Sequence, residues 1–131
     1  MITHTHSRGI FARGLSIAKP IAVSAGQEIN VSEPIPASAV NQPVAFAAVV
    51  AKLQSIFLFA SAALVIKTNS SGSPANTITL AAGVPFLWQP GDGTLRDTAG
   101  VAITTNITSL FVTNPAGSII DLNGFILIDP T

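Results

Sequence analysis

Nine prolines and ten glycines cut this 131-residue chain into short pieces. Proline removes a backbone donor and clashes inside a helix, and glycine weakens helices through its backbone entropy. The stretches between them are rich in Ile, Val, Phe and Thr, residues that suit a pleated surface. Helical periodicity is poor almost everywhere. Short apolar runs separated by turn signals indicate an all-β sandwich or barrel, with about eight strands expected.

Strand candidates follow one another along the chain. Glu28 to Ser32 alternates, with Ile29 and Val31 on one side. Glu33-Pro34-Ile35-Pro36 cannot be a central strand and reads as an extended crossing. Val44 to Val50, Leu53 to Ala60 and Leu64 to Thr68 are further candidates. The polar cluster from Asn69 to Asn76 turns the chain into Thr77-Ile78-Thr79-Leu80. Phe86-Leu87-Trp88, Ile107 to Thr113 and Ser118 to Asp129 complete the set, and Asn114-Pro115-Ala116-Gly117 carries clear turn chemistry. No linker or repeat divides the chain. The expected organisation is an extended N-terminal arm over residues 1–14 and a single β-sandwich domain over residues 15–131.

Two segments break the ordinary alternation of a half-buried sheet. Ile56-Phe57-Leu58-Phe59 and Phe125-Ile126-Leu127-Ile128 are apolar on both faces. An antiparallel sheet usually gives one face to water, so these strands need a second cover. A neighbouring subunit, the N-terminal arm or a loop of the same chain would provide it. Phe57, Phe59, Phe125 and Leu127 are therefore the candidate oligomer interface of a homodimer or homotrimer.

Charge excludes several function classes. Only 9% of residues are charged, against about 25% in typical domains, and the formal net charge is +0. A neutral chain with six Lys and Arg lacks the basic stripe that nucleic acid requires. The apolar stretch from Val44 to Ile66 has the length of a membrane helix, but Lys52 near its centre argues against one. MITHTHSRGIFARG has no continuous apolar core, so no secretory signal is expected. With no cysteine there is no disulfide framework and no thiolate site.

Catalytic and metal chemistry find little to work with. His4 and His6 form a pair without Cys or a positioned carboxylate, an incomplete zinc set. Asp92 and Asp97 lie among glycines, but the spacing of a calcium loop is missing, and a plain turn is expected. There is no G-x-S-x-G elbow, no G-x-G-x-x-G and no P-loop. No enzyme activity, catalytic residue, cofactor or metal is expected. Among the aromatics, Trp88, Phe86 and Phe111 read as core or interface anchors, with core favoured for Trp88. Arg8 and Arg13, a third of the chain's cations, make the arm a candidate contact to an acidic partner surface.

LVIKTNSSGSPANTITLAAGVPFLW at Leu64 to Trp88, NITSLFVTN at Asn106 to Asn114 and FILIDPT at Phe125 to Thr131 together resemble small virion structural proteins of tailed bacteriophages. The nearest class is the capsid decoration, or cement, proteins with a jelly-roll-like antiparallel β-sandwich. The resemblance covers the C-terminal half and rests on strand-and-turn patterns. It implies a non-enzymatic homo-oligomer on the exterior of a capsid, with the major capsid protein as partner; the N-terminal half shows no comparable match, and Arg8 and Arg13 are the candidate capsid contact on their charge alone. Nucleic acid and membrane are not expected partners. The competing readings are a tail or head–tail component, and a β-sandwich module that binds carbohydrate or a surface.

Overall fold

The computed structural model describes residues 2–12, 15–25 and 27–129, the first two stretches as backbone. Its strands are β1 (Ile2–Ala12), β2 (Leu15–Ala25), β3 (Gln27–Ile35), β4 (Gln42–Val44), β5 (Leu53–Ala60), β6 (Leu64–Thr68), β7 (Thr77–Leu80), β8 (Phe86–Trp88), β9 (Leu110–Thr113) and β10 (Ile120–Ile128). The helical pieces among the described residues are two 3-10 turns, Val50–Lys52 and Pro90–Asp92.

Strands β1 and β2 form a two-stranded sheet of their own. The other eight build two four-stranded antiparallel sheets, ordered β3-β10-β5-β8 and β4-β9-β6-β7. In this set the first strand pairs with the last, the second with the seventh, the third with the sixth, and the fourth with the fifth. A long antiparallel ribbon has been wrapped so that β10 also meets β5 and β9 also meets β6. That is the strand order of a jelly roll, two Greek keys in two facing sheets. The all-β sandwich is therefore observed, with eight strands in its body.

Several boundaries differ from the sequence expectation. The segment expected as an extended arm is one leg of a hairpin, whose register runs from Ile2 opposite Ala25 to Ala12 opposite Leu15. Its second leg lies in residues expected within the sandwich. An extended segment needs a ladder partner, and the adjacent run in β2 supplies it. Strand β3 continues through Pro34, opposite Asp121, because an edge strand makes its ladder on one side only. The candidate strand Val44 to Val50 shrinks to its first residue in β4. The rest keeps alternating burial but joins its neighbour only through a bridge from Ala48 to Ile107.

The core lies between the two sheets. Ile35, Leu64, Ile66, Leu80, Val112, Leu122 and Ile126 are below 2% exposed there. In β10 every second residue, from Ile120 to Ile128, points inward and is buried. Gly124 sits in that row because an added Cβ would meet Leu58 Cδ2 at 2.8 Å.

Uncharged polar residues tie down the connections. Asn114 is fully buried, and its Nδ2 lies 3.1, 3.0 and 2.9 Å from the carbonyl oxygens of Ile35, Pro36 and Ser118. Its Oδ1 accepts the N–H of Ala116 at 2.9 Å. One side chain thus joins the exit of β3 to the turn between β9 and β10. Removing it orphans buried backbone groups, each worth about 1–3 kcal/mol. Asn114→Ala is expected to lower unfolding stability by at least about 2 kcal/mol in urea titration; an unchanged midpoint would remove Asn114 from the supports of the fold.

Candidate functional site

The two outer faces of the sandwich differ. On the outer face of the β4-β9-β6-β7 sheet, Phe111 lies between Pro43 and Lys67 and is half-buried. Thr77 continues that row beyond Lys67, and the next row holds Thr113, Val65 and Thr79. That surface is largely polar.

The outer face of the β3-β10-β5-β8 sheet is apolar along its middle. Period-two alternation sends Ile56, Leu58, Leu122 and Ile126 into the core. It sends Phe57, Phe59, Phe125 and Leu127 to the other side, so the structure brings the four predicted interface residues onto one surface. Phe57 stands opposite Phe125, with ring centroids 6.0 Å apart and planes tilted by 42°. Phe57 also stacks on Phe59 at 6.4 Å. Such pairs contribute about 0.5–1.5 kcal/mol beyond the area they bury. On β8, Leu87 stands opposite Phe57 and extends the strip to a third strand. Leu87 was not singled out in the sequence because Phe86-Leu87-Trp88 is apolar throughout, and only register reveals which residue faces out.

Cover on this face is uneven. Leu127 and Ser55, opposite one another, are both fully buried. Leu127 nevertheless lies outside the cluster that fills the space between the sheets. The strand that approaches both β5 and β10 from outside the sandwich is β2. Phe125 keeps 46% of its surface exposed, while Phe57 and Phe59 are half-buried. Phe86 and Trp88 point the other way and pack on the core, and Trp88 Nε1 donates to the carbonyl of Gly93 at 3.0 Å.

The remaining sequence candidates are placed as follows. Arg8 lies in β1 opposite Lys19, and Arg13 lies outside the described residues. His4 and His6 occupy β1 opposite Val23 and Ile21. Asp97 is buried, and both of its oxygens are engaged. Oδ1 accepts the backbone N–H groups of Ala99 and Val101 at 3.0 and 2.9 Å. Oδ2 accepts Asn76 Nδ2 at 3.0 Å and the Thr77 N–H at 3.4 Å. Asp92 Oδ2 accepts the N–H of Gln89 at 3.1 Å. These carboxylates organise turns. Among the described residues no group of three His, Asp or Glu is placed to hold a metal ion.

The space between the sheets is an apolar cavity of about 30 Å³, the size of one water molecule. A groove of about 500 Å³ opens at one end of the sandwich, lined by Ile29, Ala48, Ile128, Lys52 and Asn106 among others, with no aromatic residue. No helix among the described residues is long and apolar enough to cross a membrane. A scan against protein-family models finds no match, and neither the curated proteins nor the solved structures supply a match to this chain.

Two outcomes follow. Burial alone would raise the pKa of Asp97, but its hydrogen bonds from Asn76, Val101, Thr77 and Ala99 outweigh burial and hold it below the ordinary value of 3.8. A carboxyl depressed in the folded state stabilises the fold fully above the unfolded value, and that contribution is lost as pH falls through the folded value. Stability should therefore drop below pH 3.8 more steeply in the natural chain than in Asp97→Asn, measured by thermal unfolding across pH; parallel curves would show that Asp97 carries no linked proton. On the apolar face, Phe125→Asp leaves the core untouched and should shift the mass seen by light scattering toward smaller species, with the β-sheet spectrum retained. An unchanged mass at micromolar concentration would exclude the strip from any interface.

Proposed function

We propose that this chain is a non-enzymatic structural protein of a phage virion, a capsid decoration (cement) protein. In this reading it binds and stabilises the shell of major capsid protein as a homodimer or homotrimer on the capsid exterior. The observation that carries it is the apolar strip of Phe57, Phe59, Phe125 and Leu87 on the outer face of one sheet. A contiguous apolar strip that is half-buried at Phe57, Phe59 and Leu87 and exposed at Phe125 supports an interaction site rather than a solvent-facing wall. The jelly roll itself hosts many unrelated functions, so it supports the reading without deciding it.

Three further features agree. A surface poor in charge gives little colloidal protection on its own and suits a protein that lives against other protein. The resemblance of the Leu64–Trp88, Asn106–Asn114 and Phe125–Thr131 segments to phage virion proteins supplies the setting. A carbohydrate module would favour an aromatic platform in a concave site, and the open groove carries none. Decoration by an oligomer works through multivalency. Each copy adds a contact, and the high effective concentration of the second contact makes weak ones hold.

The test is reconstitution. Purified protein is added to particles lacking it, and occupancy is measured after sedimentation together with the resistance of the shell to heat. The expected result is saturable binding in proportion to the number of capsid subunits, with a rise in disruption temperature. Binding confined to one vertex or to tails would move the protein to the tail or head–tail class, and absence of binding would end the capsid reading.

A further inference from the structure

Two residues on the outer face of the β3-β10-β5-β8 sheet are hidden, although the sandwich does not hide them. Leu127 and Ser55 stand opposite one another, alternate away from the core and are fully buried. In the next row of the same face, Phe125 keeps 46% of its surface exposed. The element packed on both β5 and β10 from this side is β2 of the same chain. The β1–β2 hairpin is thus a partial third layer. It covers the row of Leu127 and Ser55 and leaves Phe125 partly open.

No strand pairing fastens that layer. The hairpin makes no ladder with either four-stranded sheet among the described residues, and an isolated two-stranded hairpin is marginal in water. Arg8 stands directly opposite Lys19 in its register, and like charges so placed weaken a strand pair. What holds the hairpin is apolar cover and charge. The first 25 residues hold Arg8, Arg13 and Lys19 and no carboxylate. Residues 26–131 hold Lys52, Lys67 and Arg96 against Glu28, Glu33, Asp92, Asp97, Asp121 and Asp129. The hairpin is net cationic and the sandwich net anionic. Glu28 stands in the row of Leu127 and Ser55, and exposed Asp121 stands on the same face toward the other end of β10. A cover held in this way comes off without breaking one strand pair of the sandwich.

We propose that the β1–β2 hairpin is an intramolecular strap that limits this face. Seated, it leaves Phe125, Phe57, Phe59 and Leu87 for contact. Lifted, it adds Leu127 to them and lengthens the apolar strip by one row of the sheet. The partner that gains is a protein surface that is apolar where it meets the strip. Strap and partner compete for the same row, so whatever loosens the strap tightens the partner. Salt does so by screening the attraction between hairpin and body. This inference rests on the strip being the interaction surface of the proposed function and gives that surface its regulator.

The experiment uses the full chain. The sequence has no cysteine, so one introduced thiol reports on one place. Ser55→Cys puts a thiol under the strap, and Val112→Cys puts one in the core between the sheets. Both are labelled with N-ethylmaleimide at low and high salt, alone and combined with Arg8→Gln and Lys19→Gln. The thiol of Ser55→Cys is expected to react about tenfold faster at high salt or with the two cations removed, and that of Val112→Cys to stay protected throughout. If Ser55→Cys fails to fold, Leu127→Cys in the same row takes its place. Removing the two cations should also lower the dissociation constant of the oligomer by about tenfold in light scattering. Equal acceleration at both thiols means that the whole sandwich opens, and it overturns the strap. So does labelling that ignores both salt and the cations. A strap that lifts with unchanged association and unchanged occupancy on particles regulates nothing, and the proposal fails. Lower occupancy after removal of the cations returns them to the capsid and also overturns it. A chain that is monomeric and leaves particles bare at every salt concentration, while the thiol of Ser55→Cys alone opens, ends the proposed function and leaves the strap as a cover.

Discussion

A strand that is apolar on both faces is the constraint from which the rest of the structure follows. Strand β10 pairs with β3 on one side and β5 on the other. Its inward row from Ile120 to Ile128 closes the sandwich, with Gly124 admitting Leu58 at close range. Its outward row carries Phe125 and Leu127, which a single layer of sheet cannot hide. Leu127 is buried and Phe125 is partly exposed, so the second layer over this face is incomplete in one copy of the chain. The asymmetry between the two outer faces originates here.

Polar residues in this chain serve the backbone more than the solvent. Asn114 bonds the exit of β3 to the β9–β10 turn. Asn69, at φ 67°, accepts from the N–H and hydroxyl of Thr108 through Oδ1 and donates through Nδ2 to the carbonyl of Asn106. Asn106 in turn accepts the N–H of Val50. Asp97 and Asn76 organise the long connection after β8 in the same way. Short amide and carboxylate side chains mimic turns of main chain and tolerate left-handed backbone. A sandwich with long connections therefore holds its loops without the charged network that a chain of this composition lacks.

Fold and function part company at the jelly roll. The wrapped strand order explains where each apolar residue goes, yet the same order serves shells, lectins and enzymes alike. The features particular to this chain are surface features: an aromatic strip on one outer face, and a cationic hairpin separated from an anionic body.

The sequence by itself determined the all-β class, because prolines and glycines forbid long helices and the runs between them favour strands. It determined the core face of β6, β7 and β9, where Leu64, Ile66, Ile78, Leu80, Leu110 and Val112 are buried and alternate with less buried neighbours. It also determined that Phe57, Phe59, Phe125 and Leu127 needed a cover, since apolarity on both faces is visible without a partner. It did not reveal that β2 belongs to a hairpin and not to the sandwich, or that Val44 to Val50 finds no ladder. Pairing depends on which segment lies alongside, and many segments here are equally suited to being strands. Leu87 joined the outer apolar strip only through its register opposite Phe57. Asp97 became a turn anchor only through four donors brought from Asn76, Thr77, Ala99 and Val101. Alternation is a local property of the chain and can be read from it; pairing and register are decided between distant segments, and only the tertiary structure holds them.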